Sequence, residues 1–250
     1  MKLLVIVLCL FSERFFVHVS SHNRFHWFSA YGKAVEQRLS RSSFFSSPWL
    51  MLALTLLPLL LLFGAVSYFF SDWLFGFVGL VLNIIVFYYC IGPGNPFYPV
   101  RIETTENTTE EEIGAYLVNV NGQLFSVLFW YIILGPFALI LYRLISLCKT
   151  LRIVGPKASW LTDVLEWLPA RMTVLLYLLV GNFQAGWRHF SKLIFSVPAE
   201  NQTLLGVCGA EALGCRESEP SVMPYAESLV EHAVILLLVC LAFFTLVAWI

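Results

Sequence analysis

Six side chains combine charge or aromatic hydrogen-bonding capacity with an apolar setting: Glu13, Arg14, Arg143, Glu166, Trp167 and Arg171. A charge near hydrocarbon is expensive unless it is paired, buried in protein or held at an interface. These residues are therefore the first candidates for ligand contacts. Arg171 could hold a phosphate or carboxylate in a bidentate fork; the alternative is that it snorkels and pairs with Glu166 or Asp163. Asp163, Glu166 and Trp167 stand at i, i+3 and i+4, on one helical face, and Pro169 is expected to bend or start a helix. Glu13 and Arg14 are adjacent, so they do not face one another on a helix. His18, His22 and His26 recur every four residues but have no carboxylate or cysteine at metal-site spacing, and a metal role is not assigned. No cofactor is assigned either. GxxxxGK[ST], GxGxxG, HExxH and GxSxG are all absent. The six cysteines lack zinc-site spacing, and four of them lie in or beside apolar sequence, where a thiol packs as a small hydrophobe.

The elements that would position these residues are set by composition. Apolar residues make up 59% of the 250, and charged residues only 12%. A soluble domain carries roughly a quarter charged residues, so this chain cannot cover a water-facing surface. Charge is missing from Ser42 to Ser71, Trp73 to Val100, Ile113 to Tyr142, Met172 to Trp187 and Ala233 to Ile250. Crossing a bilayer takes ~20 apolar residues. The expected architecture is an all-α integral membrane protein, a bundle of about five or six transmembrane helices with amphipathic connecting helices, forming one domain over 1–250. The expected segments are 1–19 (a retained helix rather than a cleaved leader), 48–70, 73–91, 124–147, 163–180 and 229–250. Residues 20–47 read as a basic amphipathic connector with Phe25, Trp27, Phe28 and Tyr31 at headgroup depth, and residues 101–112 as an acidic loop. A lipid bilayer is the expected partner, with no nucleic acid.

Orientation is contradictory at this level. Arg24 to Arg41 and Lys149 to Lys157 both favour the cytoplasmic side, yet three apparent segments separate them, which places them on opposite sides. A break at Gly135-Pro136 or an anionic ligand for the second cluster would reconcile the two.

Two blocks carry a resemblance. Val127-Leu128-Phe129-Trp130-Tyr131, Gly135-Pro136 and Leu141-Tyr142-Arg143 resemble the "PLFWY…GGP…AYR" segment of the CobD/CbiB family. Leu165 to Thr173, reading LEWLPARMT, resembles that family's "L(D/N)WIPARLT". The likeness is good over about residues 110–190. It implies a multi-pass protein of the bacterial inner membrane. Cobalamin-pathway members of the family join an aminopropanol unit to adenosylcobyric acid; the AmpE branch accompanies β-lactamase induction. Phe11 to Phe16 is similar to that branch's "FERLF". Tyr116 to Gln123 and Ile145 to Thr150 stand where biosynthetic members carry "ESVAENTSDG" and "NTLDSM". The resemblance therefore implies a regulatory signalling protein, not an enzyme, modulating β-lactamase induction and the response to cell-wall damage, with another membrane or wall-recycling protein as a partner. An adenosylcobinamide-phosphate synthase is the alternative, and a transporter of small wall fragments the third reading.

Overall fold

The computed structural model describes residues 2–15, 25–39, 47–70, 77–91, 110–214 and 223–247. These residues are helical throughout: α1 (Lys2–Phe15), α2 (His26–Leu39), α3 (Pro48–Phe70), α4 (Phe77–Cys90), α5 (Glu110–Val120), a π-helical turn (Asn121–Phe125), α6 (Ser126–Leu134), α7 (Pro136–Cys148), α8 (Gly155–Val180), α9 (Phe183–Leu193), a 3-10 turn (Pro198–Glu200), α10 (Asn201–Leu213) and α11 (Met223–Val247). The acidic loop at 101–112 falls mostly outside the described residues, as do His18 and His22. The expected basic connector contains α2.

Among the described residues, three helices are long and apolar enough to cross a membrane: Pro48–Phe69, Glu111–Leu134 and Met223–Val247. This corrects the expected five or six. Leu3–Ser12, Val78–Cys90 and Pro136–Cys148 are apolar but shorter. The uncharged sequence from Ile113 to Tyr142 is divided at Gly135, whose φ of +84° is open to glycine at little cost. Pro136 then opens α7, where its missing N–H is not needed. The span ending at Leu134 begins well before Leu124 because the π turn continues α5 into α6. Pro169, by contrast, neither starts nor ends α8.

The lipid-facing character of the long helices follows from their surfaces. On α11, Ala226, Leu229, Val230, Ala233 and Val234 form a buried stripe at helical spacing. Beyond it Val239, Phe243, Phe244, Leu246 and Val247 are all exposed. On α3, Leu57, Leu61, Leu62, Tyr68 and Phe69 are exposed likewise. In water each such side chain would forfeit ~25 cal/mol per Å² of apolar surface left uncovered.

The chain forms two compact units. One comprises residues 1–12, 19–93 and 127–165. Its core joins Phe28 of α2, Met51, Leu52 and Leu56 of α3, Leu144, Ile145 and Cys148 of α7, and Leu151, Val154 and Ala158 around the start of α8. Phe87 of α4 meets Tyr131 of α6 edge-on at 4.8 Å. The other comprises 13–18, 94–126 and 166–250. There α5 and α10 approach closely through glycine: a Cβ placed on Gly114 would sit 3.4 Å from the Gly206 Cα.

A single carboxylate joins the two basic segments. Glu36 of α2 is 7% exposed, and its Oε1 accepts the N–H groups of Ile153 and Val154 at 2.9 and 3.1 Å. These amides lie just ahead of α8, where helix geometry leaves donors unpaired and the dipole favours an anion. A Cβ on Gly32, one turn earlier, would meet the Leu151 side chain at 2.8 Å, so the backbone of α2 lies tightly on that turn. The basic connector and the basic turn thus share one place in the fold.

Replacing Glu36 with Ala should lower stability by roughly 2–3 kcal/mol, since it strands two amides, and Gln should recover part of the loss; thermal unfolding in detergent measures both. Asp163, in the first third of α8, is raised above the ordinary carboxylate pKa by burial, with Lys149 opposing. A raised folded-state value gives stability that is present in acid and lost as pH rises through it. Asp163→Asn should therefore match the wild type in acid and melt higher at neutral pH; a difference that shrinks as pH rises would contradict this.

Candidate functional site

Of the six candidate residues, the structure brings Trp167 and Arg171 together in the second unit. Arg171 lies one turn after Trp167 on α8 and is 4% exposed. Its Nε donates to the Ile194 carbonyl at 2.9 Å. Nη1 donates to the Trp167 carbonyl at 2.8 Å and to Asn201 Oδ1 at 2.5 Å. Nη2 donates to the carbonyl and hydroxyl of Ser196 at 2.9 and 3.1 Å. The Trp167 ring lies 4.3 Å from the guanidinium carbon, and its indole N–H also donates to the Ser196 carbonyl. All five guanidinium donors thus end on neutral protein oxygens, and the charge rests on an aromatic face. This arrangement clamps the link between α9 and α10 onto α8. A phosphate or carboxylate could take a fork here only by displacing these oxygens. Asn201, first residue of a glycosylation-pattern triplet, is buried in the same clamp.

Arg143 belongs to the first unit, on α7, and is 5% exposed. Its guanidinium carbon is 5.1 Å from the Phe25 ring centre. Phe25 in turn meets Tyr89 edge-on at 5.0 Å, and the Trp27 indole donates to the Tyr89 hydroxyl at 2.5 Å. An aromatic wall thus carries this cation as Trp167 carries Arg171. Glu166 is half-buried on α8. Glu13 and Arg14 fall in the last turn of α1, with their side chains outside the described residues. No group of three or more His, Cys, Asp or Glu side chains among the described residues is placed to hold a metal.

A second polar locus, not marked by any motif, lies around the stretch that stands where biosynthetic members of the resembled family carry acidic groups. The π turn bonds the Ser126 N–H back to the Asn121 carbonyl, five residues earlier. Such a turn shifts side chains around a helix and recurs at functional sites. Asn121 is fully buried, and its Oδ1 accepts the Thr173 hydroxyl at 2.8 Å. One turn further along both helices, Phe125 packs edge-on against Tyr177 at 5.6 Å. Asn121 Nδ2, Ser126 Oγ and the Tyr177 hydroxyl are buried with no hydrogen-bond partner among the described residues. The available signal was the run Asn119, Asn121, Gln123 inside an otherwise apolar window. A separate cleft of about 370 Å³ is lined by Asn182, Gln184, Ala185, Arg188, His189 and Glu211. His189 Nδ1 lies 3.7 Å from Glu211 Oε1 across it, both side chains being solvent-accessible.

No family model and no solved structure matches the chain. A 110-residue stretch is 34% identical to a curated protein of Chromobacterium violaceum named "Cobalamin biosynthesis protein CobD". The stretch is 41% of this chain and 35% of that protein, so the chain spans about a third of the length of the relative it matches. The likeness points to the CobD/CbiB family; the finer AmpE assignment has no counterpart in it. The reading of the chain as a protein without enzymatic function is overturned by this relative, which is named for a biosynthetic role.

Arg171→Ala should destabilise the protein by at least about 3 kcal/mol, because it strands several buried acceptors at ~1 kcal/mol or more each. Arg171→Lys should recover only part, since an ammonium cannot reproduce the planar fork. Thermal unfolding in detergent reads both. An Arg171→Ala protein that melts normally and has lost activity would instead assign Arg171 to a ligand.

Proposed function

We propose that this chain takes part in cobalamin biosynthesis as a membrane-embedded synthase that joins an amine to a corrinoid carboxyl group as an amide, the reaction of an adenosylcobinamide-phosphate synthase. The observation that carries the reading is the 34% identity over 110 residues with a curated cobalamin biosynthesis protein. The motif blocks at Val127 to Arg143 and Leu165 to Thr173 support it.

Amide formation places demands on a site that the described residues can meet in part. The carboxyl must arrive activated as an acyl derivative. The amine attacks its carbon, the C–O bond to the leaving group breaks, the amine gives up a proton, and water must be kept from the acyl group. The buried donors and acceptors of Asn121, Thr173 and Tyr177 suit the orientation of a neutral polar group. The cleft at Arg188, His189 and Glu211 places an imidazole where it could take the proton an attacking amine releases. The clamp at Arg171 holds the α9–α10 link against α8.

A second reading, modulation of β-lactamase induction, is favoured by one feature. The stretch Tyr116 to Gln123 carries no acidic group, so a metal-assisted step has no carboxylate to lean on there.

Expression in a strain lacking cobinamide-phosphate synthase should restore corrinoid-dependent growth. No growth, despite full-length protein in the membrane fraction, would exclude the synthase. In that case loss of β-lactamase induction on deletion of the native gene would favour the second reading.

A further inference from the structure

The Glu36 contact gathers cations that lie far apart in the chain. Lys33 precedes Glu36 by one turn on α2, and Arg152 precedes Ile153, whose amide Glu36 binds. Lys157 follows on the first turn of α8, and its ammonium lies 5.7 Å from the centre of the Trp49 ring. Trp49 meets Trp160 edge-on at 5.7 Å. Lys33, Arg152 and Lys157 are exposed, and the two indoles are 43% and 56% exposed. Glu36 is buried with its Oε1 committed to two amides. Trp49 stands at the first turn of the 22-residue apolar span Pro48–Phe69, the level at which a helix leaves hydrocarbon and indoles settle.

From this placement we infer that Lys33, Arg152 and Lys157, framed by Trp49 and Trp160, form a binding site for the phosphodiester headgroup of an anionic phospholipid on the cytoplasmic leaflet. The cations supply the charge and N–H donors that a phosphodiester recognises. The indoles fix the depth, because their faces cover acyl chain while their edges reach the headgroup layer. Anionic lipid is the committed source, rather than a free phosphate compound, because the site opens at the end of a lipid-facing span. Basic clusters at this level gain roughly fivefold in binding per Lys or Arg. The second basic cluster thereby acquires a ligand on the same side as the first, and both follow the positive-inside rule.

The test uses the purified full-length chain in a neutral detergent. Its thermal shift is titrated with phosphatidylglycerol, phosphatidylcholine or inorganic phosphate. Phosphatidylglycerol should raise the melting temperature saturably, phosphatidylcholine should do so little, and phosphate alone should not. Adding salt should abolish the phosphatidylglycerol effect. The double variant Arg152→Gln/Lys157→Gln should keep the lipid-free melting temperature and bind phosphatidylglycerol about 30-fold more weakly, at roughly fivefold per cation. If that variant does not fold, Lys33→Gln alone should give about a fivefold loss. Equal stabilisation by phosphatidylcholine, a salt-independent effect, reproduction by phosphate, or undiminished affinity in a folded variant would each overturn the assignment.

Discussion

Hydrocarbon offers no hydrogen bonds, and this constraint governs the structure. A backbone surrounded by acyl chains must satisfy itself as helix, and every polar side chain withdrawn from water must find its partner within the protein. The chain meets the first demand with long apolar helices whose exposed faces are aliphatic and aromatic. It meets the second by placing its buried charges against protein atoms. Glu36 is answered by two backbone amides, and Arg171 by five oxygens and an indole face. These contacts pair neither charge with an opposite charge. Each uses the peptide group as counter-dipole, which holds a segment of backbone as firmly as it holds the side chain.

These two contacts have the same consequence in their respective units. Glu36 pins α2 to the start of α8 across more than a hundred residues of sequence. Arg171 pins the α9–α10 link to the middle of the same helix. Each contact lies within its own unit, and Pro169 lies inside α8 without ending it. The polar locus at Asn121 and Thr173 lies within one turn of Arg171 along α8.

What the sequence revealed was what lies along one helix. The uncharged runs marked α3 and α11, and the turn chemistry of Gly135-Pro136 marked the break that the structure contains. Phe25, Trp27 and Lys157 were legible as interfacial or basic positions. What escaped notice was whatever depends on two distant segments meeting. Trp167 and Arg171 stood out, but their partners Ile194, Ser196 and Asn201 lie 23 to 30 residues on, in a polar stretch with no pattern of its own. Glu36 looked like one acid among basic residues. Asn121 looked like a residue left where acidic groups were missing, because a π turn leaves no mark in hydrophobic periodicity. The number of spans was overestimated because lack of charge was counted without regard to where helices stop.

Lipid is the solvent that the surfaces of the long helices suit, with the basic face of the first unit at its edge. Spin labels at Leu61, Phe243 and Lys157 in reconstituted vesicles test this most directly, through collisions with oxygen, which partitions into acyl chains, and with a polar nickel chelate, which does not. Oxygen should dominate at Leu61 and Phe243 and the chelate at Lys157. Strong chelate access at Leu61 and Phe243 would mean that water, not hydrocarbon, surrounds these helices, and would contradict the account.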